Sequence, residues 1–351
     1  MGAPTITLAH VAEHLGVSRT TVSNAYNRPD QLSPALRERV LTAADQLGYC
    51  GPDPMARGLR RGQTGSLGLV FDQPLTYAFT DPAAALFLHG MAVGLEEHGA
   101  ALSLIPRMPE GPSRSAEMVR SALVDGYVLF CTAGDDERVR AVRARGLPFV
   151  LVESSDDPTM AHVNIDDVAG AEAAARHLTD LGHRRIAIVS GYADGVRTGA
   201  EAQAMSRWRT QSGRLEGWRR GLEAGGVDWD TVLVSGAGGS AAVHGARAAA
   251  ALLDRADRPT AILALSDLQA LGVLRAAAER GIAVPGELSV VGFDDVPQAT
   301  TSTPALTTVF QPHADKGRAA VRLLVDGADP ARSVLLPCHL VVRASTAPAS
   351  A

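Results

Sequence analysis

Cysteine is scarce. Cys50, Cys131 and Cys338 stand far apart in 351 residues, with no C-x-x-C spacing. That excludes a disulfide framework and reads as buried or free thiols in a reducing cytoplasm. No apolar run approaches the roughly 18 residues of a membrane helix, and the N-terminus lacks the basic-then-apolar order of a secretory signal. Lysine is reduced to one residue, Lys316, against 32 arginines among 33 basic residues. With the abundant alanine this reads as the codon bias of a GC-rich genome. It also removes any phosphate-binding P-loop, because Lys316 lies in Asp-Lys-Gly-Arg. No G-x-S-x-G elbow occurs, and Gly236-x-Gly-x-x-Ala lacks the third glycine of a dinucleotide fingerprint. His10-Val-Ala-Glu13-His14 matches an inverted zinc-protease pattern, yet no distant acidic ligand accompanies it, so surface histidines are the better reading. Neither catalytic residues, nor a metal, nor a cofactor is expected. The C-terminal end carries no leucine heptads, which favours a homodimer over a coiled-coil tetramer.

What is present begins near the N-terminus. Leu8, Val11, Ala12 and Leu15 fall at i, i+3, i+4 and i+7, giving one apolar helical face. Gly16 suits a tight turn, Val17 plugs the corner, and Ser18 is a good N-cap for a second helix. In that helix Thr21, Val22 and Ala25 can face inward, which leaves Arg19, Thr20, Ser23 and Asn24 outward. This is the division of labour of a helix-turn-helix that lays side chains in the major groove of DNA. Ser33-Pro34 starts a third helix, with Leu36, Val40, Leu41, Ala44 and Leu47 on one face and Gly48 as its stop. Net charge is −5 overall, but residues 1–63 carry seven arginines against five acids, a weakly basic head on an acidic body.

Residues 52–62 read as a fourth, marginal helix, with Asp53 as cap and Gly58 inside, too short to be stable alone. Leu59 can act as an apolar wedge between base steps of the minor groove, while Arg57, Arg60 and Arg61 neutralise phosphates. The plain alternative is a solvated linker with one stray leucine.

Val17-Ser18, Thr21-Val22-Ser23, Asn27, Ser33-Pro34, Leu47-Gly48-Tyr49 and Ala56-Arg57-x-Leu59 together resemble the LacI/GalR family of bacterial repressors. The resemblance implies double-stranded operator DNA as partner, with Ser18, Arg19, Thr20, Thr21, Ser23, Asn24, Asn27, Arg57 and Leu59 as contacts. Asn24 occupies a position where the family very often has arginine; asparagine pairs with adenine where arginine reads guanine. One extra residue separates Tyr49 from Ala56.

From Ser66 the period changes. Short apolar strands at Ser66–Phe71, Ala101–Ile105, Gly126–Cys131, Phe149–Glu153 and Arg185–Val189 alternate with helical stretches, and the pattern resumes after Trp218. The expected fold is α/β, two doubly wound lobes of parallel sheet with a cleft outside the strands' carboxyl ends. The body resembles the periplasmic-binding-protein-like sensor of the same family through Asp166-Asp167, Gly182-His183-Arg184-Arg185, Arg214-x-x-Gly217-Trp218, Ser266-Asp267, Gly292-Phe293-Asp294-Asp295 and Pro304-x-Leu306-Thr307-Thr308. By that resemblance Arg214, Asp267 and Asp294 point into the cleft, where a guanidinium flanked by carboxylates suits a small polar effector, sugar-like by preference. Alternatives stand beside these: Arg214 as an inter-lobe salt bridge, Asp267 as a helix cap, Trp218 as core. Residues 192–213 form an insert that can reshape or lid the cleft, and Tyr77 and Phe79 are candidates for an aromatic wall. The organisation is then 1–50 DNA-binding head, 51–63 hinge, 64–345 two-lobed effector and dimerisation domain, and 346–351 tail. A cytoplasmic, effector-gated regulator is the leading expectation. A solute-binding protein or an α/β enzyme with an accessory head are the alternatives.

Overall fold

Capping side chains and stop glycines set the helix boundaries of the first fifty residues. The computed structural model of the chain describes residues 6–51, 63–134, 136–191 and 194–350. Helix α1 (Leu8–Leu15) begins where His10 Nδ1 accepts the Thr7 N–H at 3.1 Å and ends at Gly16, φ 63°. A side chain at that φ would be strained, so glycine makes the turn. Helix α2 (Arg19–Asn27) begins at Ser18, whose hydroxyl accepts the Thr21 N–H at 3.0 Å. Helix α3 (Pro34–Leu47) begins at Ser33 with Pro34 in its first turn. Val11, Ala12, Val22, Ala25, Val40 and Ala44 seal the small core. On α3 the inward face runs through Val40, Ala43, Ala44 and Leu47, and Leu41 lies beside it half-buried, as the 3.6-residue period dictates. The hinge reading of 52–62, with Arg57 and Leu59, falls outside the described residues, as does Asp135. The chain divides into two compact units, 1–65 and 66–351.

In the second unit strands and helices alternate. The order is β1 (Ser66–Phe71), α4 (Tyr77–Thr80), α5 (Pro82–His98), β2 (Ala101–Ile105), α6 (Pro112–Ser121), β3 (Gly126–Phe130), α7 (Glu137–Ala144), β4 (Phe149–Val152) and β5 (His162–Ile165). There follow α8 (Asp167–Asp180), β6 (Ile186–Ser190), β7 (Asp194–Thr198), α9 (Gly199–Ala204), α10 (Arg209–Ala224), β8 (Leu233–Ala237), α11 (Ala242–Leu253), β9 (Ala261–Ala264) and α12 (Asp267–Glu279). The chain closes with β10 (Ser289–Asp294), α13 (Pro297–Thr301), β11 (Thr307–Phe310), α14 (His313–Val325), β12 (Val334–Leu336) and β13 (His339–Val341).

One sheet runs β12-β5-β4-β3-β1-β2, the other β13-β11-β10-β9-β6-β8-β7. The first is wholly parallel. The second departs from the expected parallel order at both edges, where β7 and β13 run antiparallel to β8 and β11. Only three residues separate β6 from β7, too few for a crossover, so the chain must reverse. The insert is therefore a sheet edge plus the short α9. Because sequence neighbours do not fill either sheet, the chain passes between the lobes after β5, after β11 and after β12. Residues 346–350, read as a tail, are strapped to the second lobe: His183 Nε2 and the Ala347 carbonyl oxygen are 3.0 Å apart, and Ala349 N–H donates to the Leu181 carbonyl at 2.8 Å.

Helix α10 packs closely on α8 because glycine recurs along it. A Cβ on Gly217 or Gly221 would stand 2.7 Å from the Ala171 or Ala175 Cβ, which van der Waals radii forbid. This approach lowers α10 into the second lobe and sets the height of Arg214, one turn earlier.

Candidate functional site

On the first unit the outward residues of α2 form one face. Ser18, Arg19 and Thr20 are exposed, while Thr21, Ser23, Asn24 and Asn27 are half-buried. Several of the expected contacts are partly engaged within the unit. Asn24 Nδ2 donates to Gln31 Oε1 at 3.1 Å, which orients its amide. Asn27 Nδ2 donates to the Ser23 carbonyl at 3.0 Å and stands 3.2 Å from its hydroxyl, so Asn27 turns back on its own helix. His10, singled out in the zinc-like pattern, serves α1 as a cap.

In the second unit the strand ends of both lobes converge on one cleft. Cys131 after β3, Glu153 after β4, Ser266 after β9, Asp294 at the end of β10 and Gln311 after β11 all line it, as parallel-sheet topology requires. The cavity encloses about 80 Å³, room for on the order of six waters. Arg214 rises from α10 into it, 6% exposed. Its Nε donates to Asp167 Oδ1 at 3.0 Å, its terminal nitrogen to the Leu265 carbonyl at 2.5 Å, and its guanidinium lies 3.7 Å from the Phe293 ring centroid. Asp167 belongs to the same lobe, so Arg214 is not an inter-lobe bridge. Burial works against its charge, but Asp167, Asp294 and Glu153 more than offset this and raise its pKa.

Asp294 meets Arg214 at 3.9 Å and accepts a short hydrogen bond from Gln311 Nε2. Burial, chiefly, pushes its carboxyl well above the usual range, with Asp267 and Asp81 adding to the effect of burial. Tyr77 reaches the cavity wall; Phe79, from the same short helix, points to solvent at 71% exposure and lines nothing there. A four-residue helix turns about 100° per residue, so positions 77 and 79 cannot share a face.

Asp267 also departs from expectation. It neither lines the cavity nor caps α12: Ser266 is the cap, accepting the Gln269 N–H at 3.3 Å. Asp267, wholly buried, accepts the Val296 N–H at 2.9 Å and the Thr308 hydroxyl, and so pins the strand-end loops from behind. Burial raises its pKa to about 7. Trp218 is core, as its position suggested.

Sequence reasoning missed the polar relay beneath the cavity. Lys316 of α14 is wholly buried, its Nζ 2.6 Å from Glu153 Oε1 and 2.6 Å from Gln311 Oε1. Burial alone would raise the Glu153 pKa, but Lys316 and then Arg214 outweigh it and hold the carboxylate at about 2. The chain Glu153–Lys316–Gln311–Asp294 thus runs from the first lobe, through a crossing segment, to the second. His313 stands beside it. Among the described residues neither ring nitrogen finds a partner in good geometry, although the Asp294 backbone is near enough to be felt, and burial followed by Lys316 holds the ring neutral. Gln269 donates to the Gly239 carbonyl at 3.1 Å while its Oε1 is unsatisfied. Both side chains line the cavity. The one signal in the sequence was positional: Glu153 and Gln311 each lie just past a strand.

No cluster of histidine, cysteine and acidic residues suited to a metal occurs among the described residues, and none of their helices is long and apolar enough to cross a membrane.

Comparison with known proteins agrees with both halves. Residues 7–51 match the profile of bacterial regulatory proteins of the lacI family, and residues 175–346 that of a periplasmic binding protein-like domain. An HTH-type transcriptional regulator of Mycobacterium tuberculosis is 41% identical over 328 residues, 91% of this chain and 90% of that protein. The structure of a CelR–cellobiose complex superposes with a TM-score of 0.72 at 32% identity, covering 97% of this chain and 99% of that one. The lac repressor dimer bound to operator and an anti-inducer gives 0.79 at 27% identity, with the same coverage. These similarities extend over both units of the chain. The chain belongs to the lacI family of bacterial regulatory proteins: it is a helix-turn-helix DNA-binding transcriptional regulator with a periplasmic-binding-protein-like effector domain, and not an enzyme.

Proposed function

We propose that the protein is a repressor whose affinity for its operator is set by a small, uncharged, sugar-like metabolite held between the two lobes. Arg214 carries the reading. It is buried, stacked on Phe293, bonded to Asp167 and directed at a cavity shared with Asp294 and with the unsatisfied atoms of His313 and Gln269. A guanidinium ringed by acceptors and donors suits a polyhydroxylated ligand. Lys316 is bonded to Glu153 and Arg214 to Asp167, so both cations already face carboxylates, which favours a neutral ligand over a phosphorylated one. The cellobiose complex of CelR supports the ligand class.

At the other end, Ser18, Arg19, Thr20, Thr21, Ser23 and Asn24 read and clamp the major groove, with Asn27 bracing that helix. Arg57 and Leu59 contribute from the hinge. A homodimer places two such helices on a near-palindromic operator, as the lac repressor structure on its operator suggests. Ligand binding favours one closure of the lobes, and the operator complex the same or the opposite one. A coupling of about 1–3 kcal/mol suffices for a 5–150-fold response.

The test is a gel shift of the full chain on its own genomic fragments, with a salt series and a sugar panel. Tight, salt-sensitive, sequence-specific binding that an added sugar alters is the expected result. Arg214→Ala keeps operator binding and loses the sugar response. A retained response places the effector elsewhere, and absence of saturable DNA binding overturns the proposal.

A further inference from the structure

Arg209 opens α10 as a cation in a first turn that holds no acidic residue. A positive charge there works against the helix dipole, so its place needs partners from outside the helix. Among the described residues it has three, and they lie on both sides of a crossing between the lobes. Its Nε donates at 2.7 Å to Asp156 Oδ1, between β4 and β5 of the first lobe. Its Nη2 donates at 3.2 Å to the carbonyl of Ile165, the last residue of β5. Its Nη1 donates at 2.6 Å to Oδ2 of Asp167, the first residue of α8 in the second lobe. Only Asp166 separates Ile165 from Asp167, so one guanidinium holds this crossing segment at both ends.

Both anchors are built into the fold. Asp156 Oδ1 also accepts Asn164 Nδ2 at 2.9 Å, and the buried Asn164 in turn accepts the Glu153 N–H at 3.1 Å. On the other side Asp167 offers one oxygen to Arg209 and the other to Arg214, at 3.0 Å. The clamp therefore shares a carboxylate with the cavity, although neither Arg209 nor Asp156 lines it. Trp208, the preceding residue, adds a second bond across the lobes, donating Nε1–H to Asp72 Oδ2 at 3.1 Å. The two ends of the clamp differ in strength. The Asp156 side chain is 67% exposed and that of Asp167 1%, so water and salt weaken the first-lobe end and spare the other. Such a contact opens at its exposed end first.

Resting on the reading of the protein as an effector-gated repressor, we infer that Arg209 is a positioning residue of the switch: it clamps the hinge between β5 and α8 and so sets the lobe arrangement on which operator affinity depends. Its planar fork serves Asp156, Ile165 and Asp167 together, which the point charge of a lysine cannot do. Rotation about the crossing carries Asp156 away from Arg209, and a displacement of Arg214 reaches the hinge through Asp167.

The experiment uses the full chain without ligand. It reads acrylamide quenching of tryptophan fluorescence, amide exchange over residues 165–170, melting temperature, and affinity for the genomic fragment that wild type binds. Trp218 and Trp229 are buried at 1% and 5% exposure, so quenching reports Trp208. Asp156→Ala raises quenching and exchange and shifts operator affinity about two- to fivefold, with melting temperature unchanged. Arg209→Lys shifts it in the same direction at least as far, and Arg209→Ala by about fivefold or more. Asp156→Glu keeps the carboxylate and behaves as wild type. The double variant Asp156→Ala with Arg209→Lys adds little to Arg209→Lys alone, because the bond is already gone. Added salt raises quenching in wild type and leaves Asp156→Ala unchanged. Unchanged quenching and exchange in Asp156→Ala and Arg209→Ala overturn the inference, as does wild-type behaviour of Arg209→Lys. A lowered melting temperature with unaltered operator affinity makes the clamp merely structural and overturns it too. Absence of saturable DNA binding by wild type refutes the regulator reading and the link to operator affinity, while quenching and exchange still decide the clamp itself.

Discussion

Replacing the chain's only lysine should cost more than any surface change and should do so in a pH-dependent way. Lys316 Nζ sits 2.6 Å from Glu153 Oε1, with the lysine side chain wholly buried and the glutamate side chain 4% exposed. Taking Glu153 from its ordinary 4.5 down to about 2 corresponds to about 3 kcal/mol of native-state stabilisation. Because the folded pKa lies below the unfolded one, this contribution is present above pH 4.5 and is lost as pH falls toward 2. Lys316→Met removes the ammonium and leaves a buried carboxylate without its partner, a change that costs about 3–5 kcal/mol. Burial then dominates and the Glu153 pKa rises above 4.5, so the sign inverts: the variant loses stability as pH rises from 4 to 7. Urea denaturation of wild type, Lys316→Met, Glu153→Gln and the double variant at pH 7 and pH 4.5 measures this. The double variant should recover at least about 2 kcal/mol relative to the sum of the singles. A cost under about 1 kcal/mol, or the same cost at both pH values, would refute the buried-pair account. The buried carboxylate accounts for what the chain's single lysine does.

Asp267, whose pKa burial raises to about 7, should destabilise the protein as pH climbs from 4 through 7, since its folded pKa exceeds its unfolded one. Asp267→Asn should flatten that slope in a melting-temperature titration, and an unchanged slope would show that the carboxyl does not titrate there. Gly217→Ala pushes a methyl group to 2.7 Å from the Ala171 Cβ and should cost about 1–3 kcal/mol while weakening sugar binding through Arg214; full stability in urea would contradict the close packing of α10 on α8. Asn24→Arg should move half-site preference from adenine toward guanine at one position by about 1–3 kcal/mol, read by selection from a randomised operator library. An unchanged base profile there would remove Asn24 from direct readout.

Local chemistry made much of the architecture legible. Ser18 and Ser33 cap, Gly16 and Gly48 stop, and the apolar period of α1 and the apolar run of β1 mark those elements, because each signal lies within one helical turn or one strand of the residue it governs. The cavity lining was legible where a motif marks a position, Asp294 at the end of β10 and Arg214 on α10, and failed where orientation depends on neighbours. Phe79 went outward because a short helix divides its face from that of Tyr77. Asp267 turned inward because Thr308 and the Val296 amide, 41 and 29 residues away, meet it behind the sheet.

Sequence alone determined the helix-turn-helix, the two doubly wound α/β lobes and the family, since these rest on periodicity, caps and short motifs that act over a few residues. The tertiary structure decided what the cleft is made of. Glu153 and Lys316 are 163 residues apart, and Asp72 and Trp208 are 136 apart. No local pattern pairs them, because only the chain's repeated passage between the lobes, and the close seat that glycine allows α10, brings these groups within bonding distance.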